Sequence, residues 1–255
     1  MASSPGDSQH QHHHQHNAQR QRAGRYPQPV ADTHNLSSRM IQASVNDHSV
    51  GRKTVALSFV SSCIRYSAGF GGGMFPLLTP RLSLHPLVPS DASALFDAIH
   101  ESLESIGRWL PWCVPHYDLA MAQSWITYCE QQRHEGTSFD LAITDRTTGH
   151  LLGSIAINSI SKVYRLGNIG YWVRRTAQGQ GIIPEAVREI VPFGFGTLGL
   201  TRLEIIAAEE NHASRQVAEK VGAHFEGLLR NRIIINDQPV TAALYSLIPG
   251  DELIY

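Results

Sequence analysis

The stretch Tyr171-Trp172-Val173-Arg174-Arg175-Thr176-Ala177-Gln178-Gly179-Gln180-Gly181-Ile182-Ile183 reads as a strand running into a short glycine loop and then a helix starting near Pro184. Two glycines one residue apart let the backbone turn tightly and expose successive N–H groups, and the following helix adds its unbonded first-turn donors and positive dipole end. Such a cradle suits an anion, a pyrophosphate above all. No Gly-Lys-Ser/Thr follows, so this is not a Walker loop, and only one gap of the dinucleotide fingerprint is present. On spacing alone an ordinary strand-to-helix turn satisfies the same pattern.

Composition divides the chain. Residues 1–29 are Gln, His, Ser, Arg and Pro with almost no large apolar side chain, and such a segment cannot bury enough surface to offset its ordering entropy. Its histidine run, from His10 to His16, lacks the fixed spacing and the Cys or carboxylate companions of a metal site, so no metal is expected. Residues 30–73 show no convincing period. The expectation is a disordered or spurious extension over 1–73, with Met74 as the true start, followed by one folded domain over 74–255. No run approaches the roughly 20 apolar residues that span a bilayer, and no leader-like start is seen. Three cysteines, Cys63, Cys113 and Cys129, are too few and too irregular for a disulfide framework, which points to the cytoplasm and away from the membrane. The folded part carries more acidic than basic residues, which argues against general nucleic-acid binding.

Within that part the periodicity predicts a strand at Leu82, Leu84 and Leu87, then a helix over 92–101 capped by Ser90 or Asp91. A second helix is capped by Asp118, carries Met121, Trp125, Ile126 and Cys129 on its apolar face and ends near Gly136. Strands over 139–144, 151–158 and 166–173 follow. The cradle helix has an apolar face of Ile182, Ile183, Ala186, Val187, Ile190 and Val191, with a kink or early end at Pro192, Gly194 and Gly196. Then come a strand over 202–207, a helix from its cap Asn211 to its stop Gly222, and strands over 225–235 and 240–247 joined by a turn at 236–239.

That order, together with Gly170-Tyr171-Trp172-Val173, Gln178-Gly179-Gln180-Gly181-Ile182-Ile183, Asn211-x-x-Ser214 and Glu226-Gly227, resembles the GNAT acetyltransferase superfamily over about residues 77–249, and within it the RimJ/RimL type that acetylates ribosomal-protein N-termini. The resemblance implies an α/β (α+β) fold: a mixed, mostly antiparallel central sheet splayed between its fourth and fifth strands and flanked by about four helices. It implies that acetyl-CoA lies in the splay, its pyrophosphate on backbone N–H groups of Gln178, Gly179, Gln180, Gly181, Ile182 and Ile183. A bulge near Val173 is expected to free a backbone N–H for the thioester carbonyl. Asn211 is expected to contact the pantetheine arm, and Ser214 to protonate the leaving thiolate. Without the resemblance, Asn211 and Ser214 read simply as a helix cap and its first turn.

The RimL-type pattern has a basic Glu on the sixth predicted strand, where this chain has Ile233, so water or another carboxylate (Glu209, Glu210 or Asp237) must serve. An α-amine, with a pKa of about 8 against about 10.4 for lysine, needs less help near neutral pH. The expected acceptor is therefore a protein or peptide N-terminus, a ribosomal protein included, attacked directly in a ternary complex. Trp109, Trp112 and Tyr117 are the expected acceptor cleft, with plain core packing as the other reading. Alternatives are a small-molecule amine (polyamine, amino acid or aminoglycoside) and a non-catalytic acyl-CoA sensor. The enzyme is expected to be a monomer or homodimer.

Overall fold

The computed structural model describes residues 74–254. The expectations for residues 1–73 lie outside the described residues. The order is β1 (Leu77–Leu78), β2 (Leu82–Pro86), a 3-10 turn (Pro89–Asp91), α1 (Ala92–Glu101), α2 (Leu103–Ile106), α3 (Leu119–Glu135), β3 (Phe139–Asp145), β4 (Leu151–Ser161), β5 (Leu166–Val173), a 3-10 turn (Arg175–Ala177), α4 (Ile182–Pro192), a π-helical turn (Phe193–Thr197), β6 (Arg202–Ala208), α5 (His212–Lys220), β7 (His224–Ile235) and β8 (Gln238–Leu247). The strands form one sheet ordered β1-β2-β3-β4-β5-β6-β8-β7. Every neighbouring pair is antiparallel except β5 and β6, which α4 connects.

Alternation along the strands sends side chains to two cores. Leu141, Ile143, Ile155, Ile157, Ile169, Leu203 and Ile205 pack on the α4 and α5 side with Val187, Ile190 and Val221. Ala142 and Leu151 face the other way, against Leu95 and Ile99 of α1 and Ala122, Ile126 and Cys129 of α3. The parallel pairing of β5 with β6 covers only Leu166–Arg202, Gly167–Leu203 and Asn168–Glu204. Beyond that point β5 stays with β4 as far as Gly153–Val173, and β6 with β8 as far as Ala208–Ala242, so the sheet opens into a wedge. This is the splay expected between the fourth and fifth predicted strands, now β5 and β6.

The bulge expected near Val173 is not there. The β4–β5 register runs without a break from Gly153–Val173 to Asn158–Asn168, and the irregularity lies beyond it, between Asn158 and Ser161. No bulge is needed. Arg174 donates its N–H to Leu152 O at 2.8 Å, so ladder alternation turns the N–H groups of Tyr171 and Val173 away from β4, into the wedge. Gly153 lies beside this point, and a Cβ there would meet Trp172 O at 2.3 Å and Val173 Cα at 2.9 Å. Both are backbone atoms, so Gly153→Ala is expected to push β4 and β5 apart and lower stability by about 1–3 kcal/mol, read as a lower denaturant midpoint.

Other local readings also shift. Asp118 caps α3 by accepting from Met121 N at 2.8 Å, and Gly136 ends it at φ 67°, as its sequence predicts. Trp125, however, is 41% exposed and stacks on Tyr128, because the buried stripe of α3 is Ala122, Ile126 and Cys129. Asp91 is the N-cap residue of α1, but its side chain caps nothing in that helix; its carboxylate accepts from Val88 N, closing the 3-10 turn. Pro192 ends α4 early, as its sequence predicts. It is the last α-helical residue, and the ladder widens after it, with Leu198 N reaching Phe193 O. Gly194 permits close packing: a Cβ would meet Ile157 Cδ1 at 2.8 Å. The β7–β8 turn is two residues, Asn236 and Asp237, both at positive φ, and Pro239 belongs to β8 past its last pair with β6. Strand β1 and helix α2 are too short to show a period.

Candidate active site

At the C-terminal end of β5 the loop that carries the cradle is pinned from α1. Glu101 accepts from Thr176 N at 2.9 Å and pairs with Arg174, whose Nε is 3.1 Å from Oε2 and whose Nη2 also reaches that oxygen. Ser102 accepts from Arg175 N at 3.0 Å and donates to Ala98 O. Arg174 is buried, donates to Leu151 O at 3.0 Å and contacts His150 Nε2. Its guanidinium holds the Glu101 carboxyl at about 2, below the ordinary carboxylate range, against the upward push of burial.

The loop then turns through Gly179 and Gly181 at φ 74° and 75°, a region that disfavours any side chain at Cβ. Gly181 occupies the cap position of α4 without a capping side chain. Among the described residues, the N–H groups of Gly179, Gln180, Gly181, Ile182 and Ile183 have no intramolecular acceptor, whereas that of Gln178, expected to be free, donates to Arg175 O at 3.3 Å. Pro184 sits where a missing N–H costs nothing. Ile182 and Ile183 bury their side chains in the core, which leaves their amides outward and explains why a large residue is tolerated at 183. The Gln178 and Gln180 side chains are exposed, and Gln180 Nε2 folds back on Thr176 O at 2.8 Å. From the far side Arg81 donates to Gln180 O at 3.1 Å and pairs with Glu185 at 2.5 Å, fixing the first turn of α4. Five free donors at a helix start fit a diphosphate.

Across the wedge stands Ser214. Asn211 Oδ1 accepts from Ser214 N at 3.2 Å, so Asn211 is a helix cap, and its Oδ1 is engaged there. Ser214 Oγ lies 3.1 Å from the Tyr171 hydroxyl, which is also 3.0 Å from Ser214 O. The contact bridges β5 and α5, one on each arm of the wedge. Burial pushes the Tyr171 phenol well above its ordinary range, partly offset by the Ser214 hydrogen bond, so it stays a proton donor through neutral pH. Tyr171 stands in the sequence motif, but nothing local marks its hydroxyl as a partner of Ser214, 43 residues on.

On the opposite face, Trp112 lies with its ring centroid 6.3 Å from both Tyr117 and Trp172. Trp172, which alternation places on this face, completes the aromatic group. Trp109 makes no ring contact with it and instead stacks beneath Arg108 at 4.7 Å. A cavity of about 430 Å³ opens on this face at the narrow end of the wedge, lined by Ser159, Leu166, Asn168, Glu204, Ile206, Arg232 and Ile233. Ile233 does line it, but Glu209, Glu210 and Asp237 do not; Glu204, unremarkable in sequence, does. Glu204 accepts from Arg202 Nε at 2.8 Å, and Arg202 also forks onto Glu226 at 2.7 and 2.6 Å. Cys113 and Cys129 are buried and burial pushes both thiols up, Cys113 to about 11, so neither is a thiolate near neutral pH. Among the described residues no cluster of His, Cys, Asp and Glu could hold a metal, and no helix is long and apolar enough to cross a membrane.

The sequence pattern of the acetyltransferase (GNAT) domain matches residues 81–224, which takes in the wedge, the cradle and Ser214. The chain belongs to the GNAT acetyltransferase family. Its cosubstrate class is that of the family, acetyl-CoA, and it is an acyltransferase. In Bacillus subtilis the "putative ribosomal N-acetyltransferase YdaF" is 30% identical over 174 residues, covering 66% of this chain and 91% of that protein. The ribosomal-protein-serine acetyltransferase of Escherichia coli is 34% identical over 98 residues, 38% of this chain and 55% of its own. A solved "putative ribosomal-protein-serine acetyltransferase" from Vibrio cholerae superposes with a TM-score of 0.61 at 30% identity, covering 69% of this chain and all of that one. The GNAT fold and the RimJ/RimL likeness read from the motifs both hold.

Proposed function

We propose that this GNAT enzyme transfers acetyl from acetyl-CoA directly to the N-terminal α-amine of a protein or peptide, a ribosomal protein being the class that its relatives' names suggest. The observation that carries the reading is the Tyr171–Ser214 hydroxyl pair across a wedge whose β5 amides are turned inward. In this reading the five free amides of the cradle take the pyrophosphate, and Val173 or Tyr171 N–H takes the thioester carbonyl. The amine, having shed one proton to water, attacks the carbonyl carbon; the C–N bond forms, the C–S bond breaks, Ser214 gives its proton to the departing thiolate, and the second proton released by the nitrogen returns through water to the Ser214 oxygen. Trp112, Tyr117 and Trp172 wall the acceptor side, with Trp109 outside that group. The raised thiols favour this route over an acyl-cysteine. Incubation with acetyl-CoA and a panel of peptides and small amines, read by free-thiol release and peptide mass, is expected to show acetyl on peptide α-amines. Turnover confined to polyamines or aminoglycosides would move the acceptor to small molecules, and CoA binding without any turnover would make the protein a sensor.

A further inference from the structure

The cavity at the narrow end of the wedge brings together three polar groups, Asn168, Glu204 and Arg232, of which Glu204 already accepts from Arg202 Nε. Asn168 donates its Nδ2 to Asn158 Oδ1 at 3.0 Å, while its own Oδ1 is buried with no hydrogen-bond partner. A buried carbonyl oxygen without a donor is costly and calls for one from outside. Glu204 adds a carboxylate at the same cavity, from the neighbouring strand. Arg232 is different in kind. The β7–β8 register breaks between Leu229 and Ile233, with Asn231 at φ 54°, and this irregularity carries Arg232 and Ile233 to the cavity wall. Arg232 is exposed and makes no ion pair or hydrogen bond among the described residues. One wall therefore lacks a donor and the other lacks an anion.

We propose that the cavity binds an acceptor that is an amine carrying a carboxylate of its own, with the ammonium received by Glu204 and, once its amide turns toward the ligand, by Asn168 Oδ1, and the carboxylate by Arg232. This rests on the acetyl-transfer reading above and narrows it. Two sources share the chemistry: a protein N-terminus with Asp or Glu in its first residues, or a free amino acid. A cavity of about 430 Å³ is large enough for either. A guanidinium fork recognises a carboxylate through two parallel hydrogen bonds and loses most of that against the neutral amide of the same shape.

The test is equilibrium titration of CoA-saturated protein with a peptide beginning Ser-Glu, its Ser-Gln isostere, free glutamate and free glutamine. The acidic member of the favoured pair is expected to bind about tenfold tighter than its amide. Arg232→Gln is expected to bring that ratio to about one, and Arg232→Lys to keep part of it. Equal affinities in the native protein, a ratio untouched by Arg232→Gln, or no binding of any of the four would overturn the proposal. Which pair shows the preference identifies the source. Because the readout is binding, it is separate from turnover: an acidic preference with no acetyl transferred would sink the transferase reading and leave the cavity a binding site for an acidic amine, whereas acetylation of Ser-Glu and Ser-Gln peptides alike, with equal affinities, would overturn this proposal and keep the transferase reading.

Discussion

Ser214→Ala is expected to lower kcat about a hundredfold while the dissociation constant of acetyl-CoA moves by less than about twofold. The split follows from where the hydroxyl sits. Ser214 Oγ is 3.1 Å from Tyr171 Oη, on the α5 arm of the wedge, and apart from the candidate cradle, whose free donors are all backbone. A proton placed on the sulfur late in the reaction is worth little to ground-state binding and much to the barrier. Tyr171→Phe is expected to cost about tenfold, because Ser214 keeps its own proton but loses the neighbour that orients it. The double variant should fall close to Ser214→Ala alone, since the two hydroxyls act as one unit. Thioester consumption measured at saturating acceptor checks all three, and a Ser214→Ala enzyme within about threefold of the native rate would remove the hydroxyl from the mechanism.

This pairing also shows where sequence reading stops. Asp118, Gly136, Asn211 and Gly222 were legible as helix ends because capping is settled within four residues by one side chain or one positive φ. The cradle was legible for the same reason, and its five free amides are a property of the Gly-x-Gly turn and the helix behind it. The wedge could be placed only through the family motifs, because it depends on where β5 and β6 stop pairing. Glu101 reaches Arg174 from 73 residues away, and Tyr171 reaches Ser214 from 43. Neither distance leaves a local period. The same holds for Glu204 and Arg232, which are an alternating strand residue and a surface cation until the sheet brings them to one cavity. Where a local rule did mislead, tertiary packing won: Trp125 turned outward because Ala122, Ile126 and Cys129 pack with α1 in the buried core.

The largest effect on stability is expected at Glu101. Its carboxylate is the charge partner of the buried Arg174 and the acceptor for Thr176 N, so Glu101→Ala leaves a guanidinium without its counter-charge and a loop amide without its bond. Breaking such a pair from one side costs about 3–5 kcal/mol, and Glu101→Gln, which keeps the acceptor for Thr176, about 1–2 kcal/mol. The pH dependence follows from the direction of the shift. The folded-state carboxyl is held at about 2, below its ordinary 4.5, so the pair contributes fully above about pH 4.5 and the contribution fades as pH falls toward 2. Urea titrations at pH 7 and pH 4 are expected to show the native-minus-variant gap shrinking at the lower pH; an equal gap at both would assign it to packing rather than charge. The consequence reaches the cofactor side, because Glu101 and Ser102 are the anchors on α1 and its C-cap that hold Arg175 and Thr176 at the entrance to the cradle. With Glu101 removed, the five free amides must be ordered by the ligand itself, and acetyl-CoA is expected to bind about tenfold more weakly even where the protein remains folded. Helix α1 and its C-cap thus fix the loop ahead of Gly179 through the Glu101 carboxylate and the Ser102 hydroxyl.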